Sequence, residues 1–92
     1  MAGDAIARRL VIHGRVQGVF FRDTLRRVAE DAGVSGWASN REDGAVEAVV
    51  EGPAEGVERV VEFAHRGPSR AKVERVEVSE APVEGLSGFQ IR

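Results

Sequence analysis

No cysteine occurs in the chain, which excludes disulfides, thiolate metal sites, iron–sulfur ligation and a thiol nucleophile. Tyrosine is absent too, and aromatic residues make up 5% of the sequence, too little for the stacking platforms that single-stranded nucleic acid needs. The two histidines, His13 and His65, are too few and too far apart in the chain to mark a metal site. No apolar run approaches the length of a membrane span, and the N-terminus has no signal-peptide core, so a cytoplasmic protein with no membrane partner is expected. Lysine is nearly missing: Lys72 is the single lysine among thirteen basic residues, the rest being arginine. The net charge of −2 argues against a general nucleic-acid binder. Neither a Walker A sequence nor a Gly-x-Gly-x-x-Gly fingerprint occurs, and there is no EF-hand and no His-Glu-x-x-His. The acidic residues are scattered, with no pair standing out as general acid and base.

What is present is an ordinary globular composition, 42% hydrophobic over 92 residues, read as one domain spanning 1–92. A chain of this length buries roughly 60–70% of the surface it exposes when unfolded. Met1 to Ala5 reads as a frayed terminus. Ile6 to His13 alternates as a strand, with Leu10 and Ile12 on one face and Arg9, Val11 and His13 on the other. Phe21, Leu25, Val28, Ala29 and Ala32 then recur as one apolar helical stripe, with Gly33 suited to end the helix. Val34 to Asn40 is a second strand. Arg41 to Gly44 is a turn, and Ala45 to Glu51 a third strand. Pro53 opens a second helix, whose stripe is Val57, Val60, Val61 and Ala64, and Gly67-Pro68 stops it. Lys72 to Ser79 is a fourth strand, and Gly88 to Arg92 adds a short edge strand. Trp37 and Phe21 are expected in the core.

The order β-α-β-β-α-β predicts an α+β, ferredoxin-like sandwich: an antiparallel sheet in the order 4-1-3-2 with two helices on one face. In that order the first and second strands run parallel, so their C-terminal ends, near Gly14 and Asn40, lie at the same end of the sheet. Two strand spacings, roughly 10 Å, separate them. The segment between them is the most suggestive in the chain. Gly14-Arg15-Val16-Gln17-Gly18-Val19-Phe20-Phe21-Arg22 follows a strand and runs into a helix start. Free N–H groups at a helix N-terminus attract anions, and glycines let the backbone approach a ligand closely. Arg22 adds a permanently charged planar fork suited to a phosphate or carboxylate. A tight turn carrying a surface arginine has the same residues. Asn40, whose amide both donates and accepts, suits the orientation of a water beside an anion without repelling it; asparagine beside a turn also occurs for conformational reasons alone. A phosphate cradle, a fixed cation and a neutral water-orienter, with no acid, base or metal, suffice for phosphoryl transfer when the leaving group is already a good anion. A carboxylate leaving an acyl phosphate meets that condition, since its conjugate acid titrates at about 4.

The two blocks Gly14–Arg22 and Gly36-Trp37-Ala38-Ser39-Asn40-Arg41-Glu42-Asp43-Gly44-Ala45-Val46-Glu47 resemble the acylphosphatase family, with Ala38 where valine is usual. Gly67-Pro68 and the ending Phe89-Gln90-Ile91-Arg92 are similar to it as well. The resemblance implies metal-independent hydrolysis of a small acyl phosphate, with no cofactor, by a monomer. It implies that Arg22 binds the phosphate and Asn40 orients the water. It implies too that the backbone of Gln17, Gly18, Val19, Phe20 and Phe21 forms the cradle. Three rivals are an anion-binding module of the same fold, of the kind fused to carbamoyl-transferring enzymes, an RNA-binding ferredoxin-like domain, and a metal carrier. The second lacks aromatics and positive charge; the third lacks a cysteine pair.

Overall fold

A computed structural model describes residues 4–92, so the first three residues of the expected frayed segment Met1–Ala5 lie outside the described residues. The elements are β1 (Ile6–Arg15), α1 (Phe21–Asp31), β2 (Ser35–Asn40), β3 (Val46–Gly52), α2 (Ala54–Arg66), β4 (Lys72–Glu80) and β5 (Phe89–Ile91). The order across the sheet is β4-β1-β3-β2-β5. β1 pairs antiparallel with both β3 and β4, and β2 pairs antiparallel with β3. The expected four-strand order therefore holds. β5 joins beside β2 in parallel, which makes the whole sheet mixed rather than antiparallel throughout. The cause is directional. β4 ends at the end of the sheet where β2 begins, so a chain that crosses from there to the far edge must run alongside β2 in the same sense.

The crossing segment, 81–88, is held by one buried carboxylate. Glu51, 5% exposed, accepts the backbone N–H of Glu84 on Oε1 at 2.8 Å and that of Leu86 on Oε2 at 2.9 Å. A carboxylate that accepts two N–H groups satisfies itself in a position where an unpaired charge is costly.

Alternation in the strands builds the core on one face. Leu10 and Ile12 of β1 lie opposite Ala48 and Val46 of β3, and all four are fully buried beneath the helices. α1 contributes Phe21, Leu25 and Ala29, and α2 contributes Val57, Val60, Phe63 and Ala64. The helices meet through Phe21 and Phe63, whose rings tilt at 50° with centroids 6.1 Å apart. Where α1 lies over β2 the strand turns Gly36 and Ala38 inward, both buried. Gly36 holds φ at 151°, where an added Cβ would run into the carbonyl of Val49.

Trp37 departs from expectation. The same alternation that buries Gly36 and Ala38 sends Trp37 to the opposite, helix-free face, where it is only half-buried. There the Arg92 guanidinium lies over its ring at 4.5 Å, a cation–π contact. The same face carries Val11, Val49 and a set of charged side chains. Arg9 pairs with Glu47 at 2.7 Å, and Glu77 receives both His13 at 2.8 Å and Arg75 at 3.1 Å. His13 Nε2 thus lies within hydrogen-bonding distance of Glu77 Oε2, while His65 Nδ1 lies 3.0 Å from the Val61 carbonyl one turn back on α2. Among the described residues, no helix is long and apolar enough to cross a membrane.

Candidate active site

The ends of β1, β2 and β5 and the start of α1 converge at one end of the sheet. β1 changes register between His13 and Gly14, a bulge of the kind that redirects a strand as it leaves the sheet. Val16, 1% exposed, then pins the start of the loop in the core. The loop itself alternates in hand: Gly18 has φ 73° and Phe20 has φ 61°. Alternation of this sort turns successive N–H groups toward a common centre, forming an anion-binding concavity. Gly18 adopts its φ without strain, and an added Cβ there would meet nothing within 4 Å. Phe20 is the one non-glycine residue with positive φ among the described residues, an αL state that costs a bulky side chain about 1–2 kcal/mol. Phe20 is also the residue that caps α1, and it offers no side-chain cap. Among the described residues, no backbone N–H from Gln17 to Asp23 donates to another protein group. Of these residues, Gly18, Phe20, Phe21, Arg22 and Asp23 line an open cleft of about 370 Å³. The start of an eleven-residue helix adds its positive dipole end to them.

Arg22, Phe20, Gly18 and Asn40 line that cleft together, with Val16 and Phe21 beneath and Asp23 at the rim. Of the residues expected from the sequence, Arg22, Asn40, Gly18, Phe20 and Phe21 therefore meet in one cavity. Val19 instead packs its half-buried side chain against the core. Gln17 turns its side chain away from the cleft. Its Nε2 donates to the carbonyls of Arg41 at 2.8 Å and Ala45 at 3.0 Å, tying the loop to the turn that follows Asn40. That turn is braced further. The Asp43 carboxylate accepts the Ala45 N–H at 3.0 Å and pairs with Arg41 at 3.0 Å. The Ala45 N–H first, and the nearby Arg41 charge after it, hold the Asp43 carboxyl below the ordinary carboxylate range.

Arg22 has an anchor that sequence reasoning missed. Its Nη1 donates to the Arg92 carbonyl at 2.9 Å, just beyond β5. Arg92 N in turn donates to the Ala38 carbonyl of β2 at 2.8 Å. The guanidinium carries five N–H donors, so one such anchor orients the fork and leaves the others for a ligand. The ending Phe89–Arg92 was visible as a motif, but nothing in it indicated that its backbone would hold a side chain seventy residues earlier. Among the described residues no group of three or more His, Cys, Asp or Glu side chains is placed to hold a metal ion. The arrangement can bind a tetrahedral anion on backbone N–H groups and a guanidinium, with a neutral amide facing it.

The acylphosphatase family model matches residues 8–91. The chain is 49% identical over 88 residues to an acylphosphatase of Acidovorax sp. (strain JS42), covering 96% of this chain and 91% of that protein. The solved structure of an acylphosphatase from Coxiella burnetii superposes with a TM-score of 0.92 at 35% identity, over 97% of this chain and 94% of that one. The acylphosphatase of Bacillus subtilis gives a TM-score of 0.91 at 36% identity, over 95% and 98% of the respective chains.

Proposed function

The chain belongs to the acylphosphatase family, and from that premise we propose that its cleft hydrolyses acyl phosphates to a carboxylate and inorganic phosphate without a metal. The observation that carries the reading is the shared cleft of Gly18, Phe20, Arg22 and Asn40 at an uncapped helix start. In this mechanism the N–H groups of Gln17 to Phe21 and the Arg22 guanidinium hold the phosphoryl oxygens. Both neutralise charge that spreads over those oxygens in the transition state, and both are positioned before the reaction begins. The Asn40 amide oxygen accepts a hydrogen bond from a water and aims its lone pair at phosphorus, in line with the acyl oxygen. The water O–P bond forms as the P–O bond to the acyl group breaks, and the bonding pair leaves on the carboxylate. That carboxylate needs no proton, its conjugate acid titrating near about 4. The proton of the attacking water passes to a phosphoryl oxygen of the substrate, since no carboxylate or imidazole other than the exposed Asp23 lines the cleft.

The same reading takes residues 1–92 as one catalytic unit that acts as a monomer in the cytoplasm. The test is hydrolysis of a small acyl phosphate with excess chelator. Turnover unchanged by the chelator supports metal-independent hydrolysis. Turnover that disappears on chelation and returns with a divalent ion contradicts it. Phosphate binding without turnover favours the anion-binding module instead.

A further inference from the structure

Three large apolar side chains stand exposed among the described residues: Phe20 at 70%, Val78 at 43% and Val83 at 52%. Val78 lies on the edge strand β4, and Val83 in the segment that crosses to β5. Phe20 alone is at the cleft. Its exposure is not a by-product of a poorly packed loop. The neighbour on each side is at least partly buried, Val19 against the core and Phe21 within it. The αL backbone of Phe20 is one that glycine or asparagine adopts more readily than phenylalanine. A strained, solvent-facing aromatic ring beside an anion site is therefore not accounted for by core packing, nor by phosphate binding, which uses the backbone and Arg22.

Reaction geometry supplies a use for it. Asn40 stands at the end of β2, while Phe20 and Arg22 stand at the start of α1, and all three line the cleft. A water held at Asn40 that attacks in line drives the leaving carboxylate away from β2, toward the wall that Phe20 forms. We propose that the Phe20 ring is the acyl-side recognition surface of this enzyme, stacking on the organic part of the substrate and favouring aromatic and extended apolar acyl phosphates over acetyl phosphate. The inference rests on the acylphosphatase reading of the same cleft. Ring-to-ring contact of this kind favours offset or edge-to-face stacking. It leaves the phosphate subsite unchanged, so it acts on one end of the substrate only.

The experiment compares benzoyl phosphate with acetyl phosphate on the full chain, for the unmodified protein and for Phe20→Asn and Phe20→Trp. Asparagine tolerates αL and so keeps the backbone while removing the ring; tryptophan keeps a ring. For Phe20→Asn, KM for benzoyl phosphate should rise roughly threefold to tenfold, the range an aromatic pair supplies. The readout is the ratio of kcat/KM for benzoyl phosphate to that for acetyl phosphate, which should fall by the same roughly threefold to tenfold whatever the variant does to both rates together. Phe20→Trp should restore the discrimination. Losses that are equal for both substrates, with weaker phosphate inhibition, would overturn the proposal and reduce Phe20 to a shaper of the loop. A second measurement needs no variant: benzylphosphonate should inhibit the unmodified chain more strongly than methylphosphonate, and equal inhibition counts against the proposal. If the unmodified chain hydrolyses neither substrate, it is the enzymatic reading that fails. Turnover of both substrates without discrimination overturns the Phe20 proposal alone.

Discussion

Replacing Gln17 with leucine removes two donors and keeps most of the side-chain volume. In the native protein Nε2 donates to the carbonyls of Arg41 and Ala45. Neither carbonyl is orphaned by the change, because the Ala45 carbonyl still accepts the Arg41 N–H at 2.8 Å and the Arg41 carbonyl still accepts the Gly44 N–H at 3.2 Å. The larger penalty for an unsatisfied buried acceptor therefore does not apply. Each lost bond has its net value of about 0.5–1.5 kcal/mol, and the pair about 1–3 kcal/mol. For a domain of this size that lowers Tm by roughly 5–20 °C. The functional effect follows from what the bonds connect. They fix the loop from Gln17 to Phe20 relative to the turn after Asn40, and on the proposed mechanism a misplacement of about 1 Å between reacting groups costs on the order of a hundredfold in rate. The expected result is a fall in kcat of roughly tenfold or more, with inhibition by inorganic phosphate weakened by a smaller factor because the loop backbone itself survives. Thermal melts and steady-state hydrolysis of one acyl phosphate measure both effects. Native stability together with native kcat in Gln17→Leu would refute the reasoning, since it would mean that the loop and the turn hold their spacing without this amide.

Other substitutions extend the account. Gly18→Val forces a β-branched residue to φ 73°, and although nothing crowds the new Cβ, stability should fall by about 1–2 kcal/mol or more and phosphate inhibition should weaken; unchanged inhibition would show that the loop is not the cradle. Glu51→Ala strips the acceptor from Glu84 and Leu86, with an expected loss of about 2–4 kcal/mol in denaturant unfolding. By loosening the segment that leads to β5, it should also weaken phosphate inhibition through Arg92 and Arg22, whereas a stability unchanged from native would deny the strap its role. The hydrogen bonds from Arg75 and then His13 hold the Glu77 carboxyl below its ordinary value. A lowered folded-state value means that this contribution is complete above the ordinary glutamate pKa of about 4.3 and fades as pH falls through the folded-state value. The stability gap between the native chain and Glu77→Gln should therefore shrink on acidification; a gap that widens contradicts the assignment.

The legible parts of the molecule are those governed by local periodicity. Alternation in Ile6–His13, the stripes of the two helices and the turn at Arg41–Gly44 gave the order of elements, and handedness and strand order followed from general rules. That Arg22 and Asn40 would lie at one end of the sheet was legible because parallel strands place their ends together, whereas the roles expected of them came from the resemblance of two sequence blocks to a family. Three features were not, and each depends on contacts distant in sequence. Gln17 reaches Arg41 and Ala45, Glu51 reaches Glu84 and Leu86, and Arg22 reaches Arg92. No local pattern encodes such pairings. Trp37 was misread for a different reason. Hydrophobicity suggested the core, but the small residues Gly36 and Ala38 on either side are the ones that fit beneath α1, and the tryptophan takes the other face by alternation. Phe20 shows the converse: its apolar side chain, at a loop position where the backbone was the expected ligand, stands in solvent.

The division of labour between Arg22 and Asn40 is the central claim, and a split between turnover and phosphate affinity tests it most directly. The measurement is kcat on an acyl phosphate together with the inhibition constant of inorganic phosphate, for the native chain, Arg22→Ala and Asn40→Ala. Asn40→Ala should lose about 10²–10³-fold in kcat, the range for one positioned polar group, and keep its phosphate inhibition. Arg22→Ala should lose both. Near-native turnover in either variant, or an Asn40→Ala chain that loses phosphate binding as fully as turnover, would contradict the account.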